Sequence, residues 1–399
     1  MLHFRRGVGE LGAVQTVGSK LFGRLYSEVR MLTSLFSQFT VQPSPNLKSR
    51  GLALRIAAGL ICAFAMGIAN PSDAANMRGD TLLMTGSGST FINPLFSKWF
   101  SEYNKLNPKV EINYQSKGSG QGITDLTKRT VDFAASDVVM TADEIKKAGS
   151  DVLHFPVAIG AVVLAYNLPS LKVALKLDPA AISAIARGHI KKWNDPKLAD
   201  LNPGVSLPDQ PIFFIYRSDG SGTTGVFTDY LSRVDADFAK EVGAGKAVRW
   251  PTGLGGKGNE GVTANLKNTV GAIGYIENTY ALAEKMATTQ LKNKEGQFVA
   301  ASLDSMTEAA AQSLKAAGKG SADLRISLIN ASGKKSYPMT SFTFLLAYPK
   351  TPAPAGTELV KFMNWAMAQG QKLTTPLHYA PLPPNLIKLI QAEAQKIAP

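Results

Sequence analysis

Cysteine is nearly absent: Cys62 is the single one in 399 residues, and it lies inside an apolar run near the start of the chain. From Asn76 onward there is no disulfide framework, no thiolate chemistry and no cysteine-based metal site. Histidine is scarce as well. His154, His189 and His378 are the histidines beyond residue 75, and no two stand at metal-ligand spacing. No G-x-S-x-G elbow occurs, and nothing in the spacing of Ser, His and Asp points to a nucleophilic triad. His154 beside Phe155-Pro156 reads as a structural residue. Gly253 to Gly261 formally contains G-x-G-x-x-G, but Trp250-Pro251-Thr252 precedes it in place of a clear strand. No P-loop Gly-Lys-Ser/Thr follows, so the stretch reads as a tight turn before a helix beginning near Val262. Tandem repeats of solenoid type are absent too.

Dense basic blocks are also missing. The formal net charge is +13, of which residues 1–75 carry eight Lys/Arg against Glu10, Glu28 and Asp73, leaving +8 beyond them. Lys146-Lys147, Lys191-Lys192 and Lys334-Lys335 are isolated pairs without interleaved aromatics, which argues for solvated faces and no nucleic-acid partner. A mildly positive surface still favours the arrival of an anion.

The longest apolar run, residues 56–69, follows Lys48, Arg50 and Arg55 and precedes Ser72-Asp73-Ala74. A basic n-region, an apolar h-region too short for a confident span and a small-x-small site make a cleavable secretory signal. Cleavage is expected after Ala74 or Ala75, with export to the periplasm. An uncleaved anchor is the alternative. Translation from Met31 would suffice, because a signal peptide does not need the first thirty residues. Gly59-Leu60-Ile61 before Cys62 lacks the small residue expected ahead of a lipidated cysteine.

What is present is one device built three times. Ile212 to Tyr216 reads as a buried strand, Val226 to Leu231 suits one face of a helix, and Arg217-Ser218-Asp219-Gly220-Ser221-Gly222-Thr223-Thr224 lies between them. Gly86-Ser87-Gly88-Ser89-Thr90-Phe91 likewise follows the strand Leu82-Leu83-Met84. It precedes a helical stripe of Ile92, Leu95, Phe96, Trp99, Tyr103 and Leu106. Gly118-Ser119-Gly120-Gln121-Gly122 follows Val110 to Tyr114 and precedes Ile123 and Leu126. Backbone N–H groups and hydroxyls at such a helix start turn toward a bound group, with the positive end of the helix dipole behind them. A capped turn without ligand uses the same residues, but three such starts brought together would enclose an oxyanion.

Val131 to Asp137 alternates and stops on an acid, as a strand ending at a cleft does; open α/β sheets bind ligands at the carboxyl ends of their strands. A carboxylate among donors makes sense if the ligand keeps a proton, because sulfate would leave that acceptor unmet. The competing role for Asp137 is a helix cap over Thr141 to Glu144. Ala158 to Tyr166 and Ser341 to Tyr348 read as strands crossing between two α/β lobes. Lobe 1 is expected to hold 76–160 and 341–399, and lobe 2 to hold 161–340. Helices follow from Thr357, with Leu359, Phe362, Met363 and Ala366, and after Pro381 to Pro384, with Leu386, Ile387 and Ile390.

These stretches resemble the periplasmic phosphate-binding proteins of bacterial high-affinity phosphate ABC transporters. The resemblance is carried by Gly86–Phe91, Lys98-Trp99, Tyr114-Gln115, Gly118-Ser119, Thr130–Asp137, Ile190–Asp195, Arg217–Thr223, Trp250–Asn259 and Gly271–Tyr275. It implies an α/β type II periplasmic-binding-protein fold, two lobes joined by two hinge crossings with the ligand cleft between them. It implies a phosphate receptor, not an enzyme, with no cofactor and no metal. Hinge closure would deliver phosphate, as a monomer, to a membrane-embedded permease with its ATPase subunits. Carried over residue by residue, Ser89, Thr90 and Phe91 would line the first helix start, and Ser119 would supply hydroxyl and backbone. Asp137 would accept the phosphate proton. Arg217, steered by Asp219, would give the positive side chain, and Ser221, Gly222 and Thr223 the third helix start. Ser87 and Ser89 stand where the family often has alanines, and Gly120-Gln121 replaces a serine–glycine pair. A phosphatase-like enzyme and a receptor for another protonated tetrahedral oxyanion, such as arsenate, remain the alternatives.

Overall fold

The computed structural model describes residues 77–318 and 323–397. The expected signal peptide and Cys62 lie outside the described residues.

Strand β1 (Thr81–Gly88) leads into helix α1 (Asn93–Leu106), β2 (Val110–Ser116) into α2 (Ser119–Thr127), and β3 (Phe133–Ser136) into α3 (Ala142–Ala148). Then comes the long strand β4 (Leu153–Tyr166), followed by α4 (Pro179–Ala186). The middle of the chain adds β5 (Phe213–Arg217), α5 (Gly222–Val234), β6 (Leu254–Gly256), α6 (Gly258–Asn268), β7 (Ala272–Glu277) and α7 (Asn278–Ala283). After α8 (Leu303–Ala317), strand β8 (Thr340–Ala347) returns to the first half, and α9 (Ala355–Ala368) and α10 (Pro384–Ala394) close the chain. The main strands lie in the order β2-β1-β3-β8-β4-β7-β5-β6.

Two registers make this one path into two lobes. The first part of β4 pairs antiparallel with β8, from Leu153↔Ala347 to Ala161↔Thr340. Its last five residues pair instead with β7, from Val162↔Glu277 to Tyr166↔Ile273. β4 and β8 are buried almost throughout, as strands covered on both faces must be. The two-lobed α/β arrangement is that of the type II periplasmic binding proteins. β4 begins five residues earlier than its apolar run suggested, because Leu153 to Val157 finds a partner in β8.

Each lobe has an aromatic centre. In the first, Phe96, Trp99, Phe100, Phe133 and Phe362 pack ring against ring. Trp99 is fully buried and donates its Nε1–H to Gly370 O at 2.8 Å. Trp99→Ala is expected to cost about 3–5 kcal/mol in unfolding free energy, measurable as a lowered urea midpoint. In the second, Phe214, Phe227, Trp250 and Tyr275 surround the start of α5, with Phe227 and Tyr275 stacked at 4.4 Å. Among the described residues no helix is long and apolar enough to cross a membrane.

Candidate anion-binding site

The three expected helix starts meet. Gly120 N–H donates to Gly220 O at 2.8 Å, joining the α2 start to the loop before α5. Gly118 sits at φ +92°, and a Cβ there would strike the Asp219 carboxylate and Gly220 O. Only glycine meets both demands. Gly222, the first residue of α5, has no such backbone need, yet a Cβ on it would overlap Ser119 Oγ and Asp137 Oδ2. Glycine here allows the third helix start to close over the end of β3.

Asp137 is 1% exposed. Its Oδ1 accepts Ser89 Oγ–H at 2.6 Å and Thr343 Oγ1–H at 2.7 Å. Oδ2 accepts one long bond, from Ser119 Oγ at 3.3 Å, and faces the first turn of α5. One oxygen is therefore held by two short donors while the other keeps acceptor capacity toward donors. Burial raises the Asp137 pKa from 3.8 to about 6, although Ser89, Thr343 and Arg217 oppose the rise. Thr141, not Asp137, caps α3, with its side chain accepting Glu144 N–H.

Arg217 ends β5 and is 3% exposed. Its Nε and Nη2 form a two-pronged pair with Asp219, and Nη1 donates to Thr223 Oγ1 at 3.1 Å. Burial would raise the Asp219 pKa, but the guanidinium and the Gly258 N–H at 2.9 Å hold it below the usual carboxylate value. Asp219 thus keeps Arg217 in place and neutralised, so an anion meets oriented dipoles more than net charge. Tyr275 OH supports the same corner, accepting Arg217 N–H at 3.0 Å and bonding Thr224 Oγ1 at 2.8 Å.

Ser221 is the N-cap of α5 and accepts Thr224 N–H at 3.0 Å, which leaves Gly222 and Thr223 N–H without an intrahelical acceptor. Helix α2 opens differently: Gly118 is its N-cap with no side-chain cap bond, and Ser119 is the first helical residue. Ser89 stands apart from the other expected residues: its hydroxyl donates to Asp137 and accepts Phe91 N–H at 3.0 Å. Both of its roles are taken up inside the protein. Thr90 and Phe91 are buried beside it, and Phe91 O accepts Tyr379 OH at 2.6 Å.

Four participants were not singled out from the sequence. Thr343 sits in the apolar strand β8 and reaches Asp137 because β8 pairs with β3, Phe344 opposite Ser136. Tyr280 OH lies 2.6 Å from Thr90 O, and Glu277 is a fully buried acid at the end of β7. The fourth is Asn259, with Nδ2 at 2.8 Å from Thr90 Oγ1 and 3.2 Å from Thr223 Oγ1. The expectation of a tight turn before a helix near Val262 is corrected here. Leu254–Gly256 is the strand β6, paired parallel with β5, and α6 starts at Gly258. The stretch is a fourth strand–glycine loop–helix unit. The glycines and Asn259 after β6 carried the signal, and the preceding Trp250-Pro251-Thr252 obscured the strand. His154 is structural: Nε2 accepts Met140 N–H at 3.1 Å, Nδ1 lies 2.9 Å from Val152 O, and burial lowers its pKa to about 4. Among the described residues no group of three or more His, Asp or Glu is placed to hold a metal ion.

Residues 71–369 match the family model of the PBP superfamily domain. The phosphate-binding protein PstS of Xylella fastidiosa is 42% identical over 311 residues, covering 77% of this chain and 84% of that protein. PstS of Pasteurella multocida is 43% identical over 312 residues, covering 78% and 89%. PstS of Methanocaldococcus jannaschii is 34% identical over 348 residues, covering 81% and 88%. Among solved structures, the fold is similar to that of PfluDING, a high-affinity periplasmic phosphate-binding protein bound with phosphate. The TM-score there is 0.63 at 19% identity, over 78% of this chain and 93% of that one. A phosphate-binding protein from Stenotrophomonas maltophilia gives 0.60 at 17% identity, over 78% and 94%.

Proposed function

This chain belongs to the PBP superfamily, among the PstS phosphate-binding proteins, and from that premise we propose that it is a receptor that closes on inorganic phosphate and delivers it to an ABC-type membrane permease. The observation that carries the reading is the asymmetry of Asp137: Oδ1 is bound by two short hydroxyl donors, while Oδ2 faces the first turn of α5. Phosphate fits both halves of such a site, offering bare oxygens to the N–H and O–H donors and a P–O–H to the carboxylate. Fully deprotonated sulfate has nothing to give Oδ2.

The lobes are 76–160 with 341–399, and 161–340, turning about β4 and β8. The closed state is held by contacts between them: Gly120 N–H to Gly220 O, Lys246 Nζ to Glu144 Oε2 at 2.8 Å, and Thr279 Oγ1–H to Leu377 O at 2.9 Å. Ligand shifts the equilibrium toward this state because its contacts come from both lobes at once. In this reading the ligands are Thr90, Ser119, Asp137, Arg217, Ser221, Gly222 and Thr223, with Ser89 and Asp219 holding Asp137 and Arg217, and Phe91, whose N–H is given to Ser89 Oγ, fixing the start of α1. On the same reading the receptor turns over no substrate, because a site built from side chains as buried as Thr90, Ser119, Asp137, Arg217 and Thr223 encloses a bare anion and gives an ester substituent no room. Residues 1–75 direct export to the periplasm, where the chain acts as a monomer and hands phosphate to the permease and its ATPase subunits.

The test is calorimetric titration of the chain from Asn76 onward, cleared of anion by unfolding and refolding, with phosphate and sulfate in parallel. One-to-one phosphate binding without a sulfate response is expected. A folded protein that gives no phosphate heat would sink the reading.

A further inference from the structure

A threonine hydroxyl has one proton to give and two acceptor positions. At Thr90 both acceptor positions are used, by Asn259 N–H at 3.2 Å and Asn259 Nδ2–H at 2.8 Å. At Thr223 they are used by Arg217 Nη1–H at 3.1 Å and Asn259 Nδ2–H at 3.2 Å. All of these partners are N–H groups, which cannot accept a proton. Each hydroxyl can therefore only donate outward, and among the described residues neither donates to a protein atom.

The Asn259 amide cannot be turned round. Its Oδ1 accepts Glu277 N–H at 2.9 Å, and a backbone N–H is a donor in every protonation state. The Nδ2 side is thereby committed to the two threonines. Asn259 is fully buried, so these bonds have no competing water. Thr90 belongs to the loop before α1 and Thr223 to the first turn of α5, so one amide sets hydroxyls on both sides of the closed site.

We propose that Asn259 is a positioning residue that fixes Thr90 and Thr223 as hydrogen-bond donors to the bound anion, so that the ligand's own proton is accepted only at Asp137. This rests on the phosphate reading above and adds a selectivity element to it. Ligand oxygens at Thr90 and Thr223 must be bare, and a ligand protonated at those positions is refused because donor would face donor. Asn259 touches the hydroxyls, not the ligand.

The variants are Asn259→Asp and Asn259→Ala, titrated with inorganic phosphate beside the unaltered protein from about pH 5 to about pH 8.5, where phosphate itself changes protonation and each variant must be read as a ratio. The carboxylate of Asn259→Asp would draw the threonine protons toward itself, so phosphate binds at least about 100-fold more weakly than in the unaltered protein near pH 8.5. Burial raises the pKa of the introduced carboxyl, and once protonated it can donate again, so the ratio should narrow to about tenfold or less near pH 5. Asn259→Ala frees both hydroxyls to rotate and should weaken binding about tenfold at every pH. A merely structural role would not make the ratio of the aspartate variant depend on pH. Either variant binding within about threefold of the unaltered protein near pH 8.5, or an aspartate ratio flat across pH, overturns the proposal. If thermal melts show that Asn259→Asp does not fold, the alanine ratio alone decides. Unaltered protein that folds but binds no phosphate would remove the receptor reading itself, a result distinct from insensitive variants.

Discussion

Asp137→Asn is expected to collapse the discrimination between phosphate and sulfate by about 10³-fold or more, as sites built around a buried polar partner do when that partner is reversed. The geometry sets which way the new amide points. Ser89 and Thr343 both donate to Oδ1, so the asparagine must keep its oxygen there and turn Nδ2 toward Ser119 and α5. The position that accepted a proton then supplies one. Phosphate loses a charge-assisted bond, while sulfate loses an unmet carboxylate and gains a donor. Parallel titrations with the two anions read the ratio directly. A ratio unchanged within about threefold would show that Asp137 does not select by the ligand's proton.

The same variant makes a second, ligand-free statement about stability. Folding lifts the Asp137 pKa from 3.8 to about 6, so the folded state binds the proton more tightly than the unfolded one. The associated stability is present below about pH 4 and is lost as the pH rises through about 6. A rise of that size is worth about 3 kcal/mol at most. Asp137→Asn, which cannot ionise, should raise the ligand-free melting temperature by several degrees near pH 8 and leave it almost unchanged near pH 3.5. The buried Glu277, whose pKa is pushed well up by burial and further by the Asp137 charge, shares the sign, so the difference between the two proteins contains the loss of the Asp137 charge and the relief it gives Glu277, both favouring the variant at high pH. Holding an ionised carboxylate here costs the empty receptor stability and serves only the ligand.

Gly222→Ala should abolish tight phosphate binding, by about 100-fold or more, without unfolding the protein. The added methyl would overlap Ser119 Oγ and Asp137 Oδ2, which in the proposed arrangement belong to the other lobe. An isolated lobe can absorb the methyl at a surface, so the cost falls on closure and not on either aromatic core. Circular dichroism should be unchanged. Small-angle scattering should show a protein that stays extended when phosphate is added. Compaction on phosphate equal to that of the unaltered protein would mean that the approach at Gly222 is not required for closing.

Much of this was legible because it is local. Strand–loop–helix units announce themselves through a change of apolar period from 2 to 3.6 around a glycine- and hydroxyl-rich turn, and both periods are properties of neighbouring residues. Arg217 with Asp219, the cap at Ser221 and the acid closing β3 all belong to such units. β6 and the start of α6 were misread because Trp250-Pro251-Thr252 hides a short parallel strand that exists only through its pairing with β5. Thr343 was unreadable for a related reason. Within Ser341 to Tyr348 it looks like one more core position, and it meets Asp137, 206 residues away, only because β8 lies against β3.

By itself, then, the sequence determined which groups are on hand: three helix starts and one arginine that donate, one acid that accepts, and no cysteine beyond Cys62. These follow from residue type and local conformation, which the chain carries wherever it folds. Only the tertiary structure decided what each donor is left to do. Whether a hydroxyl can still give its proton depends on which groups fill its lone pairs, and at Thr90 and Thr223 these come from Asn259, 169 and 36 residues away, joined at Thr223 by the nearby Arg217. Side-chain hydrogen bonds of that kind are set by packing across the closed cleft, and no period in the chain encodes them.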